Sequence, residues 1–245
     1  MKSQSFHIAE ISPVLLRPNV GVYRKPPRSK RNQESDYLER FDHHTLFYDL
    51  FEDYNGVVFS GPPLRNLLDI IKIANIELYG QEVHQKDAFA DGWKTQRSKV
   101  TIPAEEIYYS NDSTFRIDVG KLSVRGKIQK NHSDVFKDRN VLVTLSKNND
   151  LKWIEDWATY YARQHGIDAV LFYDNNSSKY SPNDILNVFK SIKEIKKPWL
   201  FLGTSSTDLA RGQTKNGILI IVNMAYSSTL NDAISDSPMW SLMLI

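Results

Sequence analysis

The segment Asp174-Asn-Asn-Ser-Ser178 follows directly after the apolar run 169–173 and carries the residue types best suited to chemistry. Asp, Asn and Ser are frequent in turns because their side chains hydrogen-bond to nearby backbone groups. A carboxylate at the end of a strand can also accept hydrogen bonds from a ribose diol or from a base edge. Residue types alone therefore favour a turn, with nucleotide binding as the alternative.

A second group, Asp42-His-His44 with Asp49 and Asp53, offers nitrogen and oxygen atoms that could bind a metal. Adjacent side chains point in different directions on a helix or a strand, so the two histidines cannot both face one ion in regular structure. We therefore interpret this group as surface residues. No G-x-S-x-G segment is present, so the sequence gives no sign of a nucleophile elbow.

The composition excludes several classes of protein. The chain has 245 residues, 41% of them hydrophobic, and no cysteine, which excludes disulfide scaffolds, iron–sulfur clusters and cysteine-bound zinc. A formal charge of +2 for the whole chain is too small to favour nucleic-acid binding by electrostatic attraction. The sequence contains no apolar run long enough to span a bilayer and no secretory leader. We therefore expect a cytoplasmic protein, with peripheral contact at the inner membrane face as a further option.

The pattern changes near residues 137–140, which predicts a boundary between a β-rich N-terminal module, 1–138, and an α/β domain, 139–245. One helix is expected over 64–74, where apolar residues recur at helical spacing. Short runs rich in β-branched and aromatic residues, separated by turn residues, predict strands. These runs are 55–60, 100–102, 107–109, 114–119 and 121–125.

The C-terminal side predicts a β-α-β-α-β order with a mostly parallel sheet. The expected strands are 141–145, 169–173 and 199–202. The first helix follows the polar turn 146–150 and ends at His165-Gly166, and the second starts with Ser181 as N-cap and Pro182 at its first position. Ligands of such sheets lie beyond the carboxyl ends of the strands, which indicates the loops 146–150 and 174–179. Neither G-x-G-x-x-G nor a P-loop motif occurs, which disfavours dinucleotide oxidoreductases and P-loop NTPases.

The stretch from Val141-Leu-Val-Thr-Leu-Ser-Lys-Asn-Asn-Asp150 through Asp156-Trp157 to Tyr173-Asp-Asn-Asn-Ser-Ser178 resembles the start of GT-A glycosyltransferases. The similar families are family 2 and the family 92 (DUF23-like) type, which include enzymes of bacterial capsule and surface-polysaccharide synthesis. The resemblance covers about residues 140–200. It implies a Rossmann-like GT-A fold and a nucleotide-sugar donor whose sugar is transferred to a glycan acceptor.

The resemblance implies a donor nucleotide site at two loops of this chain. The residues carried over are Leu145, Lys147, Asn148, Asp174, Asn175 and Asn176. Asn149 stands where the family usually has Glu, Asp156-Trp157 matches its Glu-Trp, and Tyr161 replaces its usual His. Asp156 and Trp157 are interpreted first as packing positions of the helix, and Asp174 as a ligand contact.

The resemblance also implies a divalent cation, Mn²⁺ or Mg²⁺, held by carboxylates that neutralise the donor diphosphate. The segment 230–238 resembles the family's acidic region without its central acids and leaves Asp232 and Asp236 as candidate ligands. No general base can be assigned. The alternative is therefore an inactive, truncated or degenerate relative that binds nucleotides or partner proteins. A third option is carbohydrate binding by the N-terminal module through Trp93, Tyr108 and Tyr109, although aromatic residues are more often part of a core.

Overall fold

The computed structural model describes residues 7–10, 13–84, 86–92, 96–103, 113–202 and 241–242. The chain divides into two compact units. The first comprises residues 1–11, 132–209 and 225–245, and the second comprises 12–131 and 210–224. A parallel sheet in the first unit and several antiparallel sheets in the second give a mixed α/β protein with a β-rich part.

The described helices and strands are defined as follows. The helices are α1 (Tyr37–Arg40), α2 (Leu67–Ile73), α3 (Leu151–His165) and α4 (Pro182–Ser191). The strands are β1 (His7–Glu10), β2 (Val14–Leu15), β3 (Thr45–Phe47), β4 (Asp49–Asp53), β5 (Gly56–Gly61), β6 (Asn75–Leu78), β7 (Gln81–Val83), β8 (Gln96–Thr101), β9 (Thr114–Val119), β10 (Leu122–Lys127), β11 (Val141–Ser146), β12 (Ala169–Asp174), β13 (Lys197–Leu202) and β14 (Ser241–Leu242). None of these helices is long and apolar enough to cross a membrane.

The first unit is built on a five-stranded sheet in the order β1-β13-β12-β11-β14, and every pair in it is parallel. The chain passes through β11, α3, β12, α4 and β13 in one direction across the sheet. It then adds β14 on the opposite side of β11. The strand order therefore reverses beside β11, which makes this a topological switch point.

Local signals explain where the two long helices begin and end. The Asp150 side chain accepts a hydrogen bond from the Lys152 N–H at the start of α3, and Gly166 ends the helix with φ 66°. Ser181 and Asp184 form a capping box at the start of α4. The β-α-β-α-β order predicted from the sequence is therefore confirmed, and both helix starts are where the sequence placed them.

The apolar faces of α3 and α4 share one core with the parallel sheet. Helix residues such as Ile154, Ala158 and Phe189 are fully buried there, together with the strand residues Leu142 and Phe172. The Phe172 and Phe189 rings meet edge to face with their centroids 5.5 Å apart. Burial of this kind is the main source of stability for a helix, which is marginal alone. The core therefore fixes both helices on the strands that carry the loops 146–150 and 174–179.

The strand β1 lies in the parallel sheet, although residues 1–138 were predicted to form the N-terminal module. Its residues pair with β13, with His7 opposite Trp199, and the two rings stack 4.5 Å apart. This pairing joins segments that are far apart in the chain, so the local pattern of the sequence gives no sign of it.

The second unit contains three antiparallel sheets: β10-β9-β6-β7, β4-β5-β8 and β2-β3. Helix α2 buries Leu67 and Ile71 in their common core. The predicted strands at 55–60, 100–102, 114–119 and 121–125 correspond to β5, β8, β9 and β10, with ends that differ by a few residues. The predicted strand at 107–109 lies outside the described residues.

Candidate functional site

Two polar loops lie side by side where β11 and β12 end. The two strands are in register, so Ser146 is opposite Asp174 at their carboxyl ends. The backbone N–H of Asn175 donates to the Ser146 carbonyl at 2.8 Å, which continues the pairing one step beyond the strands. The six residues predicted for donor binding, 145, 147–148 and 174–176, are therefore brought to one edge of the sheet, next to the switch point.

Asn148 connects the two loops. Its backbone N–H donates to the Ser177 hydroxyl oxygen at 2.9 Å. Its side-chain oxygen accepts from the N–H groups of Ser178, at 2.7 Å, and Lys179, at 3.1 Å. Asn148 has φ 57°, a left-handed conformation that Asn tolerates better than most residues. The backbone turn and the side-chain bonds together hold the second loop against the first.

The Asp174 carboxylate is buried, with 6% of the residue exposed, and it organises its own loop. One oxygen accepts from the Ser177 N–H at 2.9 Å, and the other accepts from the Ser177 hydroxyl at 2.5 Å. The turn favoured by residue types is thus formed. A carboxylate has about four acceptor positions, so these two bonds leave capacity for a further donor.

Asn175 provides a buried polar atom at this edge that has no hydrogen-bond partner among the described residues. The residue is 1% exposed, and its side-chain oxygen is buried with no hydrogen-bond partner in that part of the chain. A buried acceptor without a donor costs about 1–3 kcal/mol. Because this oxygen is buried, the N–H or O–H group of a ligand would reach it only after a small movement of the loop.

The remaining predicted residues differ in exposure. Lys147 and Asn176 are exposed at the tips of the two loops, and Asn176 has φ 55°. Leu145 is half-buried at the end of β11. The site therefore combines exposed tips, one cationic and one an amide, with a buried floor made by Asp174 and Asn175.

Of the two α3 residues interpreted first as packing positions, Trp157 packs against the core and Asp156 does not. Asp156 is exposed and forms an ion pair of 3.0 Å with Lys152 one turn earlier. Trp157 is half-buried against the core of the unit, and its indole Nε1 is buried without a hydrogen-bond partner in the described part of the chain. Tyr161 stacks on His165 with ring centroids 5.2 Å apart.

The candidate metal ligands Asp232 and Asp236 lie outside the described residues, as do Trp93, Tyr108 and Tyr109. Within the described ranges, no group of three or more His, Asp or Glu residues could hold a metal ion.

The Asp42-His-His44 group has structural contacts of its own. Asp42 pairs with Arg24 at 3.4 Å and accepts from the Thr45 N–H at 2.9 Å. The Nδ1 of His43 lies 3.0 Å from the Arg24 carbonyl oxygen. Asp42 is therefore the ion-pair partner of the buried Arg24 side chain.

Sequence reasoning missed the roles of Ser177 and Ser146. Ser177 bonds to Asp174, to Asn148 and, at 3.2 Å, to the Tyr180 hydroxyl. The Ser146 hydroxyl accepts from the Asn149 side-chain amide at 3.0 Å. The Asp-x-x-Ser spacing of residues 174–177 is the sequence signal that could have indicated the first of these roles, because short polar side chains bond to backbone a few positions away.

Comparison of the chain with protein-family models, curated proteins and solved structures gave no match.

Proposed function

We propose that the parallel-sheet unit binds the nucleotide of a nucleotide sugar at the carboxyl ends of β11 and β12, and that the protein is a glycosyltransferase of the GT-A kind with a glycan acceptor. One observation carries this proposal. Two polar loops meet at the carboxyl ends of adjacent parallel strands, beside the reversal of strand order at β11. Open α/β sheets bind their ligands at such a position.

The loop residues supply groups that match the parts of a nucleotide. The exposed ammonium group of Lys147 is suited to a diphosphate. The Asn176 amide, at the other loop tip, can pair with a base edge through its donor and acceptor atoms. Asp174 and the side-chain oxygen of Asn175 can accept from ribose hydroxyl groups. The Asn175 oxygen has no donor among the described residues, and Asp174 keeps acceptor capacity beyond its bonds to Ser177.

The divalent cation stays a prediction that rests on Asp232 and Asp236. The described residues at this edge offer two carboxylates, Asp174 and Asp150, which already accept from Ser177 and from the Lys152 N–H. Hard cations need several oxygen ligands, so the described residues alone do not fit a metal site. None of the nucleotide contacts proposed above involves a metal ion.

A second candidate is a nucleotide-binding protein without transferase activity. The hydrogen bonds that the loop residues make to one another favour this candidate. The Asn148 oxygen is engaged by Ser178 and Lys179, and the Asp174 carboxylate by Ser177. These bonds shape the edge for binding, and no residue of the described edge is positioned as a general base toward an acceptor.

The test measures nucleoside diphosphate binding by calorimetry. UDP, GDP and CDP are titrated into the full chain and into the variants Lys147→Gln and Lys193→Gln. Both variants remove one exposed lysine charge, but Lys193 lies in the connection that leads into the amino end of β13, at the other edge of the sheet. One nucleotide should bind, and Lys147→Gln should weaken it about tenfold or more, the value of one charge-assisted hydrogen bond.

Equal affinities for the two variants would contradict a site at this edge. Release of nucleoside diphosphate from the matching nucleotide sugar, in the presence of glycan acceptors, separates the two candidates. Turnover supports the transferase, and tight binding without turnover supports the second candidate.

A further inference from the structure

The β-rich unit has a cavity lined by arginine residues on the solvent side of its four-stranded sheet. The cavity has a volume of about 310 Å³, and the described residues that line it are Arg17, Arg116, Ser123 and Arg125. Every one of these side chains ends in a hydrogen-bond donor, and none of them is a carboxylate. Such a lining is complementary to an anion.

The strand register forces two of these arginines together. Arg116 on β9 is directly opposite Arg125 on β10, and both side chains are on the solvent side of the sheet. Directly opposite residues of an antiparallel pair have Cβ atoms about 5 Å apart, and like charges at that distance lower the stability of the sheet. An anion between the two guanidinium groups would relieve this repulsion. Unfavourable arrangements of this kind are typical of binding sites, where stability is lost for function.

The neighbouring acids leave a net positive charge. The three arginines of the cavity are balanced in part by two acids, since Arg116 forms an ion pair with Asp118 and is directly opposite Glu77 on β6. A second hollow of about 400 Å³ shares Arg116 and Arg125 and adds Lys127 and Glu77, so the charged residues of both hollows together with Asp118 carry a formal charge of +2. Both hollows are thus lined by the arginine pair.

We propose that this cavity binds the phosphate group of a small, soluble phosphate monoester. A monoester carries a charge of about −1.5 to −2 at neutral pH, which is opposite in sign and similar in size to the net charge of the two hollows. Its three terminal oxygens accept hydrogen bonds, and guanidinium groups present paired donors in the geometry that such oxygens need. The Ser123 hydroxyl adds a neutral donor, and the second hollow leaves room for the organic part. The proposal does not depend on nucleotide binding at the parallel sheet, because all of its residues belong to the other unit.

The test uses the full chain and measures binding of inorganic phosphate and glycerol 3-phosphate by calorimetry at constant ionic strength. Arg125→Gln removes one arginine of the cavity. Lys121→Gln is the control, since it removes an exposed cation from the turn between β9 and β10 outside the cavity lining. We expect saturable binding of both probes, about a tenfold or greater loss of affinity in Arg125→Gln, and nearly wild-type affinity in Lys121→Gln.

Thermal melting gives a second readout, which also shows whether the variant is folded. Without phosphate, Arg125→Gln should melt at or above the wild-type temperature, because it relieves the repulsion from Arg116. With saturating phosphate, the wild-type chain should melt above the variant. Equal weakening by both variants, or no saturable binding of either probe, would overturn the proposal. So would binding only to vesicles that contain phosphatidic acid, since that result would indicate a membrane headgroup instead of a soluble ester.

Discussion

The backbone N–H of Asn148 donates a hydrogen bond of 2.9 Å to the hydroxyl oxygen of Ser177 and so joins the loop after β11 to the loop after β12. The same hydroxyl donates to the buried carboxylate of Asp174. A single side chain therefore connects the three parts of the candidate site, the two loops and the acid at its floor. Ser177 and Asn148 therefore hold the shape of this edge together.

Replacement of Ser177 by alanine should destabilise the parallel-sheet unit and loosen both loops. The change leaves the Asn148 N–H without its acceptor and removes one donor from Asp174, which should cost about 1–3 kcal/mol. Urea unfolding measures the loss. Ser178→Ala is the matched control, because the Ser178 hydroxyl is exposed and lies 3.5 Å from the Asn148 oxygen, at the limit of a hydrogen bond. Equal stability of the two variants would show that Ser177 does not organise the edge.

Asp49 at the start of β4 should make the stability of the β-rich unit depend on pH. Its Oδ1 atom is buried without a hydrogen-bond partner among the described residues, and burial raises the pKa of this carboxyl from 3.8 to about 8. Between these two values the folded chain keeps a proton that the unfolded chain loses. Stability should therefore fall as the pH rises through this window, by up to about 1.4 kcal/mol per pH unit, and level off above pH 8.

The variant Asp49→Asn checks this effect, because it removes the titrating group and keeps the size of the side chain. We expect this variant to be more stable than wild type at neutral pH, with a difference that shrinks as the pH falls toward the unfolded-state pKa. Unfolding free energies measured across the window from the unfolded-state pKa to above the folded-state pKa give the slope. Asp69→Asn makes the same change at an exposed position of α2. An Asp49→Asn curve parallel to wild type would contradict the raised pKa.

The buried guanidinium of Arg24 should make Asp42 more important for stability than Arg24 itself. Arg24 is 3% exposed, pairs with Asp42 at 3.4 Å and donates to the Thr45 carbonyl at 2.5 Å. Burial lowers the pKa of Arg24, and Asp42 opposes that shift. Removal of the carboxylate charge leaves a buried cation without its partner, whereas replacement of the arginine by an apolar residue removes the buried charge altogether.

We therefore expect Asp42→Asn to cost about 1–2 kcal/mol, a value reduced by the partial exposure of Asp42, and Arg24→Met to cost less. Guanidinium chloride would screen the ion pair, so the measurement is urea unfolding at low salt. The reverse order of the two costs would show that the hydrogen bond to Thr45 dominates over the charge pair.

The features that the sequence predicted depend on neighbours along the chain. The N-cap Asp150, the C-terminal Gly166 and the Ser181 capping signal located both long helices, because capping is decided within a few residues. The apolar runs of β11 and β12 located the two loops in the same way. Their place at one edge of a sheet followed from the parallel pairing of strands that are joined by a helical crossover.

The features that escaped prediction depend on distant pairing. The strand β1 joins β13 across the length of the chain, and the Arg116–Arg125 pair exists only in the register of β9 and β10. The side-chain oxygen of Asn175 has no hydrogen-bond partner within the described residues, and the sequence could not predict this either. The missing bond depends on what surrounds the side chain in three dimensions.

The measurement that tests the central claim most directly is the melting temperature of the full chain in UDP, GDP and CDP, each with and without Mn²⁺. A ligand that binds only the folded chain raises the melting temperature as its concentration rises above the dissociation constant. We predict a concentration-dependent rise with one nucleotide, abolished or strongly reduced in Lys147→Gln, and enhancement by Mn²⁺ would extend the claim to a cation site. No rise with any nucleotide in a cooperatively folded sample would contradict nucleotide binding at the edge formed by Asn148, Asp174 and Asn175.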